Sequence, residues 1–168
     1  IEILPCSGTQ ILATVSGRKE KTKMYTENKT LKIQKNGMDT TKIQIQVPKD
    51  TVFDQVSMEN GVGKISASNM QCENLDVQLG VGEISYSGEV TKASIENGIG
   101  TMKLDLTGEK SWYSWDTECG IGQIRIDGKS VLEGMGRESK VQGQGDTRKK
   151  LDLECGIGKI EISFKEKS

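Results

Sequence analysis

Glu59-Asn60-Gly61-Val62-Gly63-Lys64-Ile65-Ser66 and Glu154-Cys155-Gly156-Ile157-Gly158-Lys159-Ile160-Glu161-Ile162-Ser163-Phe164 are two copies of one pattern. In each, a polar residue leads into a Gly-Val/Ile-Gly triplet, and an alternating apolar run follows. Three more copies stand between them, so the first glycines fall at Gly61, Gly80, Gly98, Gly120 and Gly156. The intervals are 19, 18, 22 and 36 residues. A period near 20 is what a chain coiling through stacked turns produces. The pattern predicts an all-β chain: a single-domain parallel β-solenoid (β-helix) with rungs of about 18–22 residues.

Aligning the copies on the first glycine, position zero, exposes columns. Five before it stand Val56, Leu75, Ala93, Trp115 and Leu151; three before, Met58, Val77, Ile95, Thr117 and Leu153. One before stand Asn60, Leu79, Asn97, Cys119 and Cys155; one after, Val62, Val81, Ile99, Ile121 and Ile157. Four after stand Ile65, Ile84, Met102, Ile124 and Ile160; six after, Ala67, Tyr86, Leu104, Ile126 and Ile162. Spacing by two is the β period, so all these columns are expected to point inward. The phase breaks between plus one and plus four, which predicts a bend. Ten glycines are therefore read as structural corners: Gly61, Gly63, Gly80, Gly82, Gly98, Gly100, Gly120, Gly122, Gly156 and Gly158.

Working outward, the regular repeats are expected over 56–128 and 147–164 of a single domain spanning 1–168. Residues 129–146 read as an inserted loop, because Gly134-Met135-Gly136 through Gly143-Gln144-Gly145-Asp146 is Gly-rich, polar and lacks alternation. Residues 1–55 read as irregular N-terminal rungs. Leu31-Lys32-Ile33-Gln34 and Ile43-Gln44-Ile45-Gln46-Val47 alternate there, with the turn signal Asn36-Gly37 between them. The charged tail Lys165-Glu166-Lys167-Ser168 suits a capped last rung.

Composition narrows the function classes. Hydrophobic residues are 33%, which fits a thin core of short strands. The formal net charge of −1 and the lack of a basic block give no footprint for nucleic acid. No run of about 18 apolar residues exists to span a membrane. The chain opens at Ile1 inside a strand-like stretch. Upstream targeting sequence is expected to be missing, and any membrane attachment would come through that missing N-terminal segment. No His is present, which removes the usual general base at neutral pH. The cysteines Cys6, Cys72, Cys119 and Cys155 form no CxxC pair, so a structural zinc site is not expected. Catalytic, cofactor and metal residues are all expected to be none.

Several features invite a functional reading. Gly61-Val62-Gly63-Lys64 and Gly156-Ile157-Gly158-Lys159 look like fragments of a phosphate loop, but Ile65 and Ile160 stand where Ser or Thr would reach magnesium. Acidic residues gather before the glycines: Asp76, Glu96, Asp116, Glu118, Asp152 and Glu154. Stacked carboxylates repel by about 1 kcal/mol per close pair in water. A solvated charged face relieves that, as would a bound calcium or the nearby Lys103, Arg125 and Lys159. Ser111-Trp112-Tyr113-Ser114-Trp115 is the one aromatic cluster. Trp115 falls in an inward column, and Trp112 shares one with Phe53, Cys72 and Val90, which leaves Tyr113 as the exposed ring. Tyr113, Glu118 and Glu154 are the candidate partner contacts. Cys119 and Cys155 share a column, open to a disulfide or to two buried thiols.

Residues 59–66 and 154–164, with Ile-Gln-Val-Pro-Lys-Asp (45–50) leading into Phe53 and Val56, resemble the bacterial putative-adhesin β-solenoid family, a domain of unknown function. The resemblance runs from about Ile11 to Phe164. It implies secreted, surface-attached or membrane-anchored proteins of the bacterial cell envelope, and it brings no catalytic residues. The expected function is thus a non-enzymatic, extracytoplasmic, adhesin-like interaction module of an envelope or surface protein, with an unknown protein or glycan partner at the cell surface. A structural spacer or self-associating scaffold stays open, as does a polysaccharide-acting β-helix enzyme. Against the enzyme, no Arg/Lys pair sits beside a carboxylate cluster in an obvious loop.

Overall fold

Alternation without a single helical stretch makes strands, and strands are what the chain forms. The structure, a computed structural model, describes residues 1–17, 22–27, 30–35, 40–134, 139–143 and 148–165. The strands are β1 (Glu2–Cys6), β2 (Leu12–Ser16), β3 (Thr22–Glu27), β4 (Thr30–Lys35), β5 (Lys42–Pro48), β6 (Val52–Thr107), β7 (Tyr113–Ile126), β8 (Lys129–Gly134), β9 (Ser139–Gly143) and β10 (Lys149–Lys165). One 3-10 turn, Lys110–Trp112, precedes β7. No α-helix occurs among the described residues.

The main sheet runs β2-β5-β1-β6-β10-β7-β8, with β9 also on β7. It is mixed. β1 pairs parallel with β5 and β6, and β10 pairs parallel with β6 and β7. β2 on β5, and β8 and β9 on β7, are antiparallel. The 129–146 segment, read as a loop, therefore carries two strands that cover the outer edge of β7. Residues 1–55, read as irregular N-terminal rungs, divide between two sheets. β3 and β4 form a separate two-stranded sheet, and β4 does not pair with β5. Asn36-Gly37, Met135-Gly136, Gln144-Gly145-Asp146 and 166–168 lie outside the described residues.

The copies stack with equivalent residues in register. Leu151 faces both Ala93 and Trp115, and Ile157 faces both Ile99 and Ile121. Within β6 the same register shows in the glycines. A Cβ on Gly98 would lie 2.5 Å from the Gly80 carbonyl oxygen, and one on Gly80 would overlap that of Gly61. Likewise a Cβ on Gly156 would meet the Gly98 oxygen at 2.6 Å, and one on Gly120 the Gly156 oxygen at 2.7 Å. The spatial order is thus 61, 80, 98, 156, 120. The copy latest in sequence lies between two earlier ones.

Columns minus three, minus one, plus four and plus six form the core. Ile95, Met102, Leu104, Leu151, Leu153 and Ile160 are fully buried. Thr117 is buried in the minus-three column, while Asn60 at the first copy is only half-buried. In the minus-five column Leu75, Ala93 and Leu151 are buried, and Val56 and Trp115 pack against the core half-covered. The plus-one column corrects the sequence reading. Val62, Val81, Ile99, Ile121 and Ile157 are exposed, by 75%, 43%, 48%, 46% and 47%. The left-handed backbone lies at the second glycine of each pair, not the first. The residue between the two glycines is turned outward before the second glycine returns the chain to the core.

Candidate functional site

The Gly-X-Gly motif, read from the sequence as a corner, is where the repeated residues do most. Its second glycine has φ of +140° at Gly63, +141° at Gly82, +143° at Gly100, +153° at Gly122 and +144° at Gly158. A side chain is strained in that region. Crowding adds to this: a Cβ on Gly82, Gly100, Gly158 or Gly122 would overlap the carbonyl of the glycine stacked next to it. Gly63 has only the Asn60 Nδ2 at 3.2 Å, and Gly61 has nothing within 4 Å. Those two stand at the end of the corner, since β1 pairs with this copy only at Ser66 and Ala67.

The minus-one column explains its odd mixture of Asn and Cys. Asn97 Nδ2 donates to the Gly82 carbonyl at 3.4 Å. The Cys155 thiol donates to Gly100 O at 3.8 Å, and the Cys119 thiol to Gly158 O at 3.7 Å. Each residue thus reaches the second-glycine carbonyl of the adjacent copy. Asn97 Oδ1 has no partner among the described residues. Cys119 and Cys155 face each other in register, and both are free thiols. Burial and the neighbouring Cys119 push the Cys155 thiol up to about 11. Cys72, beside the Tyr86 hydroxyl at 3.8 Å, is also raised, chiefly by burial.

Outside the corner, three rows run along the stack. The central row is Val62, Val81, Ile99, Ile157 and Ile121. Two positions before each first glycine stand Glu59, Gln78, Glu96, Glu154 and Glu118. Three after it stand Lys64, Glu83, Thr101, Lys159 and Gln123. Glu96, Glu154 and Glu118 are consecutive partners in the ladder. Glu154 is exposed and Glu118 half-buried and engaged. Asp76 and Asp116 are half-buried; Asp152 is exposed. Lys159 pairs with Glu161 at 2.5 Å, Lys64 with Glu83 at 3.0 Å and Lys103 with Asp105 at 3.6 Å. Among the described residues no group of three or more His, Cys, Asp or Glu is gathered to hold a metal.

The aromatic cluster is arranged differently from the sequence reading. Tyr113 is fully buried, not exposed, so it cannot touch a partner. Its hydroxyl donates to Thr107 O at 2.9 Å, and its ring packs on Phe164 at 5.2 Å. Burial, and then the Glu89 carboxylate, push its phenol up to about 12. Lys149, ion-paired to Glu89 at 2.7 Å, lies 5.4 Å from the Trp112 ring and 5.1 Å from Tyr113. Trp112 and Trp115 are the half-covered rings. The sequence reading leaves Tyr113 exposed because it turns Trp112 inward; Trp112 instead ends the 3-10 turn Lys110–Trp112, and Tyr113 opens β7 in the same alternation as Trp115 and Thr117. Beside the cluster lies an open depression lined by Gly108, Glu109, Lys110, Ser111, Asp127 and Phe164. Its charges are already used: Lys110 Nζ meets Asp127 at 3.1 Å, and Asp127 accepts the Phe164 amide at 3.1 Å.

No protein-family model matches the chain, and no curated protein matches it in sequence. Two solved structures are similar. One is named a putative cell adhesion protein, from Clostridium sporogenes ATCC 15579. It aligns with a TM-score of 0.68 at 19% identity, covering 98% of this chain and 87% of that one. The other, named a putative adhesin from Bacteroides fragilis NCTC 9343, aligns with a TM-score of 0.41 at 14% identity, over 96% and 86%. The likeness to the first is one of fold.

Proposed function

We propose that the chain is a β-solenoid acting as a non-enzymatic, extracytoplasmic interaction module of a bacterial envelope or surface protein, adhesin-like in the sense that it binds through its flat outer rows. The observation that carries this is the register. Because equivalent residues stack about 4.8 Å apart, Glu96, Glu154 and Glu118 form a straight row on paired strands. A rigid row loses little freedom on binding, and a flat charged face suits an extended protein or glycan partner. The name of the Clostridium structure supports the same reading, as does its fold match across 98% of this chain. No helix among the described residues is long and apolar enough to cross a membrane.

The test is a panel of cell-wall glycans, host-surface glycans and extracellular matrix proteins, probed with the labelled chain. Saturable binding that Glu96→Lys with Glu154→Lys abolishes, without lowering the melting temperature, supports the module. Binding to nothing on the panel, or binding indifferent to both substitutions, overturns it.

A further inference from the structure

We infer that the Gly-X-Gly corner is a self-pairing surface, and that its occupant is a second copy of this chain lying alongside with its stack parallel and in register. The apolar row is the first reason. Five positions out of five carry Val or Ile where the side chain is 43–75% exposed. Stacking on neighbours accounts for part of their shape, since Val62 at the end of the row is the most open. About half of each inner side chain stays in water, and no contact within the described residues covers it. A continuous exposed row of this kind marks an interaction surface.

Charge selects the occupant and its direction. A two-fold axis parallel to the stack sets the minus-two row of one copy against the plus-three row of the other. The opposed residues are then Glu59 and Lys64, Gln78 and Glu83, Glu96 and Thr101, Glu154 and Lys159, and Glu118 and Gln123. Two rows pair opposite charges, each twice by symmetry, and no row sets like charges together. A two-fold axis across the stack instead sets Glu59 against Glu118 and Glu96 against itself. Such like-charge contacts are costly. The existing pairs Lys64–Glu83 and Lys159–Glu161 join side chains about a third or more exposed, so they yield or share at little cost.

Size sets the strength. Five copies about 4.8 Å apart, and a strip roughly 15 Å wide, offer roughly 300–400 Å² per chain, under half the ~800 Å² per partner of a standard interface. The pair is therefore reversible and fills only at high concentration. This inference stands apart from ligand binding: a strict monomer sinks it and leaves the acidic row free to bind, while an empty ligand panel does not touch it.

Sedimentation equilibrium of the intact chain up to about 1 mM, in the weak-affinity range, tests it. The expected result is a monomer–dimer equilibrium that Ile99→Glu shifts at least tenfold toward monomer. Lys64→Glu with Lys159→Glu should weaken it similarly, and adding Glu59→Lys and Glu154→Lys should restore it. Cysteines introduced in a Cys6→Ser background fix the direction. In-register pairing predicts that Val81→Cys and Ile157→Cys each cross-link to themselves under mild oxidant. A monomer at the highest concentration overturns the proposal, as does a dimer untouched by Ile99→Glu. Cross-linking only between Val81→Cys and Ile157→Cys overturns the parallel arrangement. Thermal melts of each variant separate lost pairing from lost folding.

Discussion

Four neighbouring glycines form a factorial test of why the corner is built from glycine. Gly61 has an ordinary φ and nothing within 4 Å of a Cβ. Gly63 has φ +140° but only a side-chain nitrogen nearby. At Gly80 φ is ordinary, but a Cβ would overlap the Gly61 carbonyl; Gly82 combines φ +141° with overlap of the Gly63 carbonyl. Alanine at Gly61 should be neutral or stabilise by up to about 0.4–1 kcal/mol, through the unfolded chain alone. At Gly63 only the φ penalty applies, about 1–3 kcal/mol. At Gly80 the clash is with backbone, which cannot swing aside, so overpacking costs about 1–3 kcal/mol or more. Gly82 carries both, roughly 3–5 kcal/mol. Each kcal/mol moves the melting temperature of a chain this size by about 2–4 °C. Calorimetry should therefore rank Gly61→Ala highest and Gly82→Ala lowest, some 10 °C or more apart by the same conversion. If Gly80→Ala melts with Gly61→Ala, the stacked glycines do not approach as described, and the placing of the Gly61 copy beside the Gly80 copy loses its support.

Other outcomes follow from the same geometry. Tyr113→Ala should destabilise by about 3–5 kcal/mol, as other buried aromatics do, and Tyr113→Phe by about 1 kcal/mol through the lost bond to Thr107; urea titration measures both. Raising pH should erode stability between about 9 and 12. Both Cys155 and Tyr113 have folded values raised above the ordinary thiol and phenol values, so their contribution is whole below the ordinary values and is lost as pH climbs from there through about 11 and 12; melts across that range and ultraviolet titration of the phenolate check it. A thiol reagent should label Cys6 at once and Cys72, Cys119 and Cys155 only as the chain opens, because the last three are buried; rapid labelling of Cys155 would contradict this. A chain ending at residue 148 lacks β10 and should aggregate, since the facing edges of β6 and β7 are left unpaired; a soluble, cooperatively melting product would refute that.

Much of the core was legible because alternation reports directly which residues share a face. Ile65, Ile84, Met102, Ile124 and Ile160 could be placed from spacing alone. The plus-one row could not, because a bend shifts the phase by an amount that spacing does not specify. Val62 and Ile99 have the same type as core residues and differ only in where the backbone turns. Tyr113 went astray because Trp112 was turned inward, whereas Trp112 ends the 3-10 turn Lys110–Trp112. Stacking order was hidden too. Pairing by edge complementarity places Leu151 between Ala93 and Trp115, and nothing in the period distinguishes that from a stack in chain order. The acidic row was visible as composition, but the thiol and amide donors to the corner carbonyls needed coordinates.

The position of β10 also bears on timing. At synthesis rates of about 5–20 residues per second, roughly 2–8 s separate the emergence of β7 from that of residue 165. During that interval the edges of β6 and β7 that β10 will join cannot find their partner, however well each half has formed. Long-range pairing of this kind is slow to begin with. What protects the nascent chain is tethering: its own β10 arrives attached, at an effective concentration that a neighbouring chain on the same message does not match. The order of the copies therefore makes a clock of the ribosome, with the middle of the molecule completed last.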